Sequence, residues 1–370
     1  MHSQEGHKGV RIAIRALVFL GIAAVAVFVC SHILGFADSD RSNTTLEQFY
    51  QQDRDTVDCV YLGSSVSQRG FVVPAAFHDH GVASYSLTCG TQPFVLTKYL
   101  MKEVMKTQDP KLFIIELKGT CKGPDDIAEV ALRRMVDNMK PSVNRYQAIH
   151  SAVSYASEGK NQVDKSGLSY YIPLVKYHTR WNPAMQPKEI GLDYYKGYVI
   201  DPEVTFKVRT IHPLEYTEDT YPIAKETEAV LNDLLDFCDT IDADVLFVIS
   251  PYQASETGMG KLNYSRNIVE KRGYRCLNFL PASKREELGL EDMTSYYNQE
   301  HLNYAGSLLF TDYLCEYIQD QYGIADHRGD GAYGSWEAEY SRLEKNLDGV
   351  YAEKVAKMKE KIKERRSGAE

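Results

Sequence analysis

Two side chains in this sequence have the types and positions for acyl chemistry. Ser65 lies in VYLGSSVSQRG, directly after the apolar run Val57 to Leu62, and His301 lies in YNQEHLNYAG, directly before the helix-like stretch LLFTDYLCEYI. A hydroxyl is a weak nucleophile at neutral pH unless a neighbouring base accepts its proton, so a reactive serine needs a histidine within hydrogen-bond reach. Either motif alone is common in loops and helix starts. Together they predict that the Ser65 hydroxyl meets an imidazole nitrogen of His301, with Ser64 and Ser67 as the alternative serines.

Such a pair needs a frame that brings distant segments to one edge. Val57 to Leu62 (VDCVYL), Leu112 to Leu117 (LFIIEL) and Val245 to Ile249 (VLFVI) are short runs rich in β-branched residues, each followed by turn or polar residues, and they read as buried strands. Phe94 to Lys106 and Ile223 to Thr240 carry apolar groups at helical spacing between them. Strands alternating with helices predict an α/β domain, a three-layer parallel sheet with helices on both faces, of flavodoxin-like type. Ligands bind beyond the carboxyl ends of the strands in such sheets, which is where Ser65 falls. The rhythm breaks between Cys121 and Thr220, where Tyr170, Tyr171, Tyr177, Tyr194, Tyr195 and Tyr198 crowd into polar sequence; this segment reads as an insertion, a lid or binding surface. Residues 326–370 read as a helical extension whose closing Lys/Glu alternation suits a solvated face.

YLGSSVS and NQEHLNYAG resemble the SGNH/GDSL hydrolase superfamily, in the extracytoplasmic branch that includes the D-alanine-transfer protein of teichoic-acid synthesis and the alginate O-acetylation proteins. The resemblance spans roughly Asp58 to Tyr322, and the tyrosine-rich middle (KYHTRW, YYKGY) is similar to membrane-anchored members from Gram-positive bacteria. It implies Ser65 as nucleophile and His301 as base. It also implies an oxyanion hole built from the amide of Ser65, the amide of Gly90 and the side chain of Gln92, the last two from SLTCGTQP after the second strand. Each such donor is worth about 3 to 4 kcal/mol of barrier. The resemblance further implies a membrane-bound O-acyltransferase as partner and a cell-surface glycan or teichoic-acid-like acceptor.

At one position the sequence departs from the family pattern. Where the family has the aspartate of Asp-x-x-His, this chain has Asn298. An amide oxygen can hold a neutral imidazole but cannot balance the imidazolium that forms during catalysis. Asparagine in place of the triad aspartate costs chymotrypsin-like enzymes about 10⁴ in rate through a wrong tautomer, whereas papain-like enzymes work with asparagine. Asp292 and Glu300 are the carboxylates that could substitute; Glu300 adjoins the histidine, so Asp292 is the better placed, either in that role or holding the NH2 end of Asn298.

The N-terminus specifies where this chemistry would occur. Ala16 to Ala37 runs 22 residues without a formal charge, long enough to cross a bilayer as a helix. Lys8, Arg11 and Arg15 precede it and Asp38 and Asp40 follow, so the positive-inside bias puts residues 1–15 in the cytoplasm and residues 38–325, the α/β domain, outside. A single-pass cell-membrane protein is expected, with a cleaved signal at Gly35 to Ala37 as the rival reading. The anchor is expected to leave the domain as an appendage.

The six other cysteines, Cys59, Cys89, Cys121, Cys238, Cys276 and Cys315, are scattered singly with no CxxC, which suits free thiols in a chain large enough to need no staples. No metal and no cofactor are expected, the cluster His78, Asp79, His80 having no partner cluster in the sequence. A net charge of −9 is unsuited to a nucleic-acid binder. Three functions are compatible: a membrane-anchored serine acyltransferase or esterase acting on envelope O-acyl groups, a catalytically silent relative that binds an envelope polymer or partner through the insertion, and a simple secreted esterase.

Overall fold

The structure, a computed structural model, describes residues 2–34, 45–157, 163–182 and 192–368. Five parallel strands form the central sheet: β1 (Cys59–Gly63), β2 (Ser84–Thr88), β3 (Leu112–Glu116), β6 (Asp244–Ile249) and β7 (Arg275–Asn278). A short antiparallel hairpin, β4 (Asp193–Tyr195) and β5 (Tyr198–Ile200), stands apart from it. The sheet order is β2-β1-β3-β6-β7, and with the hairpin set aside this is the order of a doubly wound sheet that reverses direction at its first strand. β1 and β3 are buried through nearly their whole length, as expected for strands covered by helices on each side. The expected α/β class and parallel sheet are therefore present.

The reversal has a functional consequence. The chain leaves β1 towards β2 on one side, and β3 returns on the other side of β1, so the connections diverge and open a crevice at the carboxyl ends of β1 and β3. Ser65 follows β1 at that crevice.

The described residues of the insertion are packed more tightly than their composition suggested. Tyr170, Tyr195 and Tyr198 are fully buried, Tyr177 and Tyr194 nearly so, and of the six tyrosines only Tyr171 is exposed. These rings are core material rather than a binding face. The β4–β5 turn is Lys196-Gly197, both with positive φ (48° and 89°), as a two-residue hairpin requires. It docks on the sheet edge: the Ser86 amide donates to the Lys196 carbonyl at 3.0 Å, and a Cβ on Gly197 would lie 1.8 Å from the Ser86 carbonyl oxygen. The hairpin thus covers part of the β2 edge, which would otherwise be open to pairing.

The C-terminal extension is also packed rather than merely solvated. Two helices, Gly334–Asp348 and Ala352–Ser367, bury Trp336, Leu343, Tyr351 and Met358. Trp336 donates its indole N–H to the Ser84 carbonyl at 2.9 Å, tying the extension to β2. The Lys/Glu alternation of the sequence describes only the outer faces.

At the other end, a continuous helix runs His2–Leu34. Its Lys8–Ser31 stretch is long and apolar enough to cross a membrane, and its side chains from Val10 to Val29 are exposed rather than packed on the domain. Residues 35–37 of the expected anchor, and the flanking Asp38 and Asp40, lie outside the described residues. The helix is not a free appendage at its far end: the Leu174 amide donates to Ser31 Oγ at 3.3 Å, and Arg180 Nη1 donates to the Leu34 carbonyl at 3.2 Å. All seven cysteines are free.

Candidate active site

The sharp turn out of β1 is made possible by Gly63. A Cβ there would meet Ser67 Oγ at 2.2 Å and Glu116 Cβ at 2.6 Å, so only glycine lets the end of β3 press against the turn. Ser64 then stands just before the short helix Ser65–Gly70, placing Ser65 on its first position with partial access to solvent. Beneath the turn sits Glu116, fully buried. Its carboxylate accepts the Lys118 amide at 3.1 Å, the Ser250 amide at 3.3 Å and the Ser250 hydroxyl, with the Tyr61 hydroxyl at 3.5 Å. Burial pushes the Glu116 carboxyl above the usual carboxylate range, and these donors partly offset the shift. The acid ties the ends of β1, β3 and β6 together directly behind the candidate nucleophile. In the sequence its only sign is a single acid closing an apolar run, LFIIE.

The partner comes from a tight loop between Tyr296 and Leu302, which bridge each other across it. The loop is pinned by Asn303, fully buried: its side-chain oxygen caps the next helix through the Gly306 amide at 3.0 Å, while its NH2 reaches the Thr294 carbonyl at 2.7 Å. Tyr297 packs its ring parallel to the imidazole, with centroids 5.2 Å apart and planes within 5°. His301 Nε2 lies 2.8 Å from Ser65 Oγ. The serine and the histidine that the sequence singles out are thus hydrogen-bonded.

Asn298 completes the line. Its side-chain oxygen accepts three donors: the Glu300 amide at 2.9 Å, the His301 amide at 2.9 Å and His301 Nδ1 at 3.0 Å. Two of these are backbone N–H groups, which can only donate, so the oxygen rather than the NH2 must face the ring. That orientation places the imidazole proton on Nδ1 and leaves Nε2 as the acceptor for the serine hydroxyl, the tautomer a general base requires.

Several expected residues sit elsewhere. Asp292 does not hold Asn298 or His301; its carboxylate is engaged by Arg285 at 3.1 and 3.4 Å, and the backbone amides do the orienting instead. Glu300 pairs with Lys118 at 3.3 Å. The backbone amide of Gln92 donates to the Cys89 carbonyl, and the residue lines a small cavity with Phe94, Gly119 and Tyr155. Gly90 reaches the right edge, since Thr88 is in register with Gly63, while its carbonyl accepts Arg134 Nη1 at 3.0 Å. Ser67 is buried with its hydroxyl donated to the Ser64 carbonyl, which removes it as a nucleophile. His78 and His80 make separate contacts, to Glu337 and Asp312, and no metal-binding cluster occurs among the described residues.

Two cations near the imidazole carried no signal in the sequence. Arg69, one turn past Ser65, lies 5.8 Å over the Tyr297 ring and 3.5 Å from Asp201, and Lys118 follows β3 with its ammonium 4.3 Å over Tyr252. Although the ring keeps some contact with solvent, crowding by its neighbours lowers the His301 pKa to about 3, helped by the charges of Arg69 and then Lys118. Beside the loop lies an open cavity of about 510 Å³ lined by Lys207, Arg209, Tyr297, Asn298 and Glu300. The surroundings favour a neutral imidazole and a developing oxyanion over an imidazolium.

A base whose folded pKa is depressed stays deprotonated in acid. If His301 is the base, kcat/KM for an ester should stay level from about pH 8 to about pH 5, without the limb near 6.5 of an unperturbed histidine. A pH–rate profile with a midpoint in the mid-6 range would contradict it. The same shift makes charging His301 unfavourable to the fold. Its contribution to stability is intact above about pH 6.5 and is lost as pH falls towards 3.

In comparison with known proteins, the chain matches no family model and no curated protein.

Proposed function

We propose that the protein is an extracytoplasmic, membrane-anchored serine acyltransferase or esterase of the SGNH type, acting on O-acyl groups of cell-envelope polysaccharide. The observation that carries this reading is the line Ser65 Oγ, His301 Nε2, His301 Nδ1, Asn298 Oδ1, with contacts of 2.8 and 3.0 Å at the crevice of a doubly wound sheet. In the proposed reaction the Ser65 proton passes to Nε2 as Oγ attacks the acyl carbonyl. The imidazolium then gives that proton to the departing alcohol, leaving an acyl-serine. An incoming hydroxyl, from water or a glycan, loses its proton to Nε2 and takes the acyl group, and Nε2 returns that proton to the departing Ser65 Oγ, which restores the serine. The amide of Ser65, with that of Gly90, would receive the oxyanion. Supply of the acyl group by a membrane-bound O-acyltransferase, and its delivery to a glycan or teichoic-acid-like acceptor, belong to the same reading, as does an exterior location for the domain.

A second reading has one specific observation in its favour. Asn298 leaves the imidazolium without a carboxylate while Arg69 and Lys118 disfavour it, which would suit a silent relative that binds an envelope polymer or partner. A fluorophosphonate probe applied to the full-length protein in detergent separates the two. A stoichiometric adduct on the peptide containing Ser65 is expected, and an unlabelled protein would favour the silent reading.

A further inference from the structure

Several exposed apolar residues of the insertion gather at one place. Two short helices, Leu168–Tyr171 and Leu174–Tyr177, and the turn His178–Trp181 form a single surface segment. It exposes Leu168, Tyr171, Ile172, Val175 and, at 75% of its area, Trp181. Tyr146 stacks on Tyr171 with ring centroids 5.6 Å apart and extends the patch onto the neighbouring helix. The inner side is firmly held, with Tyr177 donating to Asp137 at 2.9 Å and the Arg133 guanidinium 4.0 Å over the buried Tyr170 ring. Monomeric soluble surfaces rarely keep such apolar side chains together without a partner.

The position of the segment identifies the partner. Leu174 is bonded to Ser31, the last residue of the stretch able to span a membrane, and Arg180 is bonded to Leu34, less than one helical turn further on. From Ala16, where the basic residues end, about 20 helical residues cross a hydrocarbon layer of about 30 Å, so the boundary between acyl chains and headgroups falls close to Leu34, with Ser31 one turn inside it. The patch is therefore held at the depth where tryptophan and tyrosine collect in membrane proteins, with His178 exposed beside them, while Lys176 pairs with Glu129 and Arg180 is buried over the Tyr177 ring.

We propose that this surface lies on the lipid bilayer. Leu168, Ile172, Val175 and Trp181 enter the interfacial layer of the leaflet from which helix His2–Leu34 emerges, so the α/β domain is seated on the membrane at a fixed orientation. The inference rests on that helix being an anchor and is independent of the acyl chemistry.

The chain has two tryptophans, Trp181 and the buried Trp336, and this makes the test direct. The full-length protein is reconstituted into phosphatidylcholine nanodiscs with plain or dibrominated acyl chains, and tryptophan emission is compared for the wild type and Trp181→Phe. The wild type should lose roughly half its emission in brominated discs, since one of its two indoles lies in the interfacial layer, while Trp181→Phe should lose almost none. Protein that enters the discs but shows equal emission in both lipids overturns the inference and leaves the anchor standing; a face reserved for a partner protein would give that result. Equal quenching of wild type and Trp181→Phe overturns it as well, because the signal then comes from Trp336. Protein that elutes free of the discs overturns the anchor and the surface together.

Discussion

Ser65→Ala is expected to cut ester turnover by about 10³-fold or more if the serine and histidine work as a pair. The hydroxyl removed is bonded to His301 and supports nothing else, so the melting transition should not move. No neighbour can take over, because the Ser67 hydroxyl is buried and donated to the Ser64 carbonyl, and the imidazole is aimed at Ser65. His301→Ala should lose a similar factor, and the double variant little more, since the two groups act in one step. The measurement is hydrolysis of p-nitrophenyl acetate by the purified full-length chain beside each variant. Turnover that survives Ser65→Ala would remove the acyl-transfer reading and leave the binding protein in its place.

The legible part of this molecule was the part governed by apolar runs. The segments around β1, β3 and β6 are almost wholly apolar and buried, so their sequences announce strands, and the helices near Thr97–Val104 and Lys225–Cys238 show their periodicity. β2 reads Ser-Tyr-Ser-Leu-Thr and does not announce a strand. Its hydroxyls are nonetheless buried, Ser86 against Thr88, and its Ser84 carbonyl is capped by Trp336 from the far end of the chain. β7 is a four-residue edge strand with partly exposed side chains, too short for any pattern. The tyrosines of the insertion misled because tyrosine is compatible with both surface and core; which applies depends on partners such as Arg133 and Asp137 that lie far off in sequence.

The same division runs through the site. Serine after a strand and histidine before a helix are local signals, and the fold brought them to hydrogen-bond distance. Asp292, Arg69 and Lys118 were misjudged or missed because their roles depend on the direction of a side chain. Asp292 is close to Asn298 along the chain yet turns to Arg285, and the charge of Lys118 acts on the imidazole only because β3 lies beside β1.

The position with most leverage beyond the serine is Asn298. In the chymotrypsin-like case asparagine is harmful because its NH2 faces the ring and selects the wrong tautomer. Here the amides of Glu300 and His301 hold the oxygen towards Nδ1, so the tautomer is already correct and what is missing is a negative charge. An aspartate has the same shape and accepts the same three donors, so Asn298→Asp should fold normally. Its carboxylate about 3 Å from Nδ1 would oppose the effect of Arg69, Lys118 and burial, raising the imidazole pKa and stabilising the imidazolium of the transition state. We expect turnover to rise by about tenfold to a hundredfold, equivalent to about 1.4 to 2.7 kcal/mol, a fraction of the Coulomb energy at this separation because the residue is exposed. The acid limb of kcat/KM should move upward from its low position at the same time, towards the ordinary range of histidine. Asn298→Ala behaves differently: it strands two backbone donors and frees the ring, so both stability and turnover should fall. If Asn298→Asp moves the acid limb but not the rate, imidazolium formation does not limit turnover and the asparagine is sufficient, as in papain-like enzymes. If it moves neither, His301 is not the base, whatever its distance from Ser65.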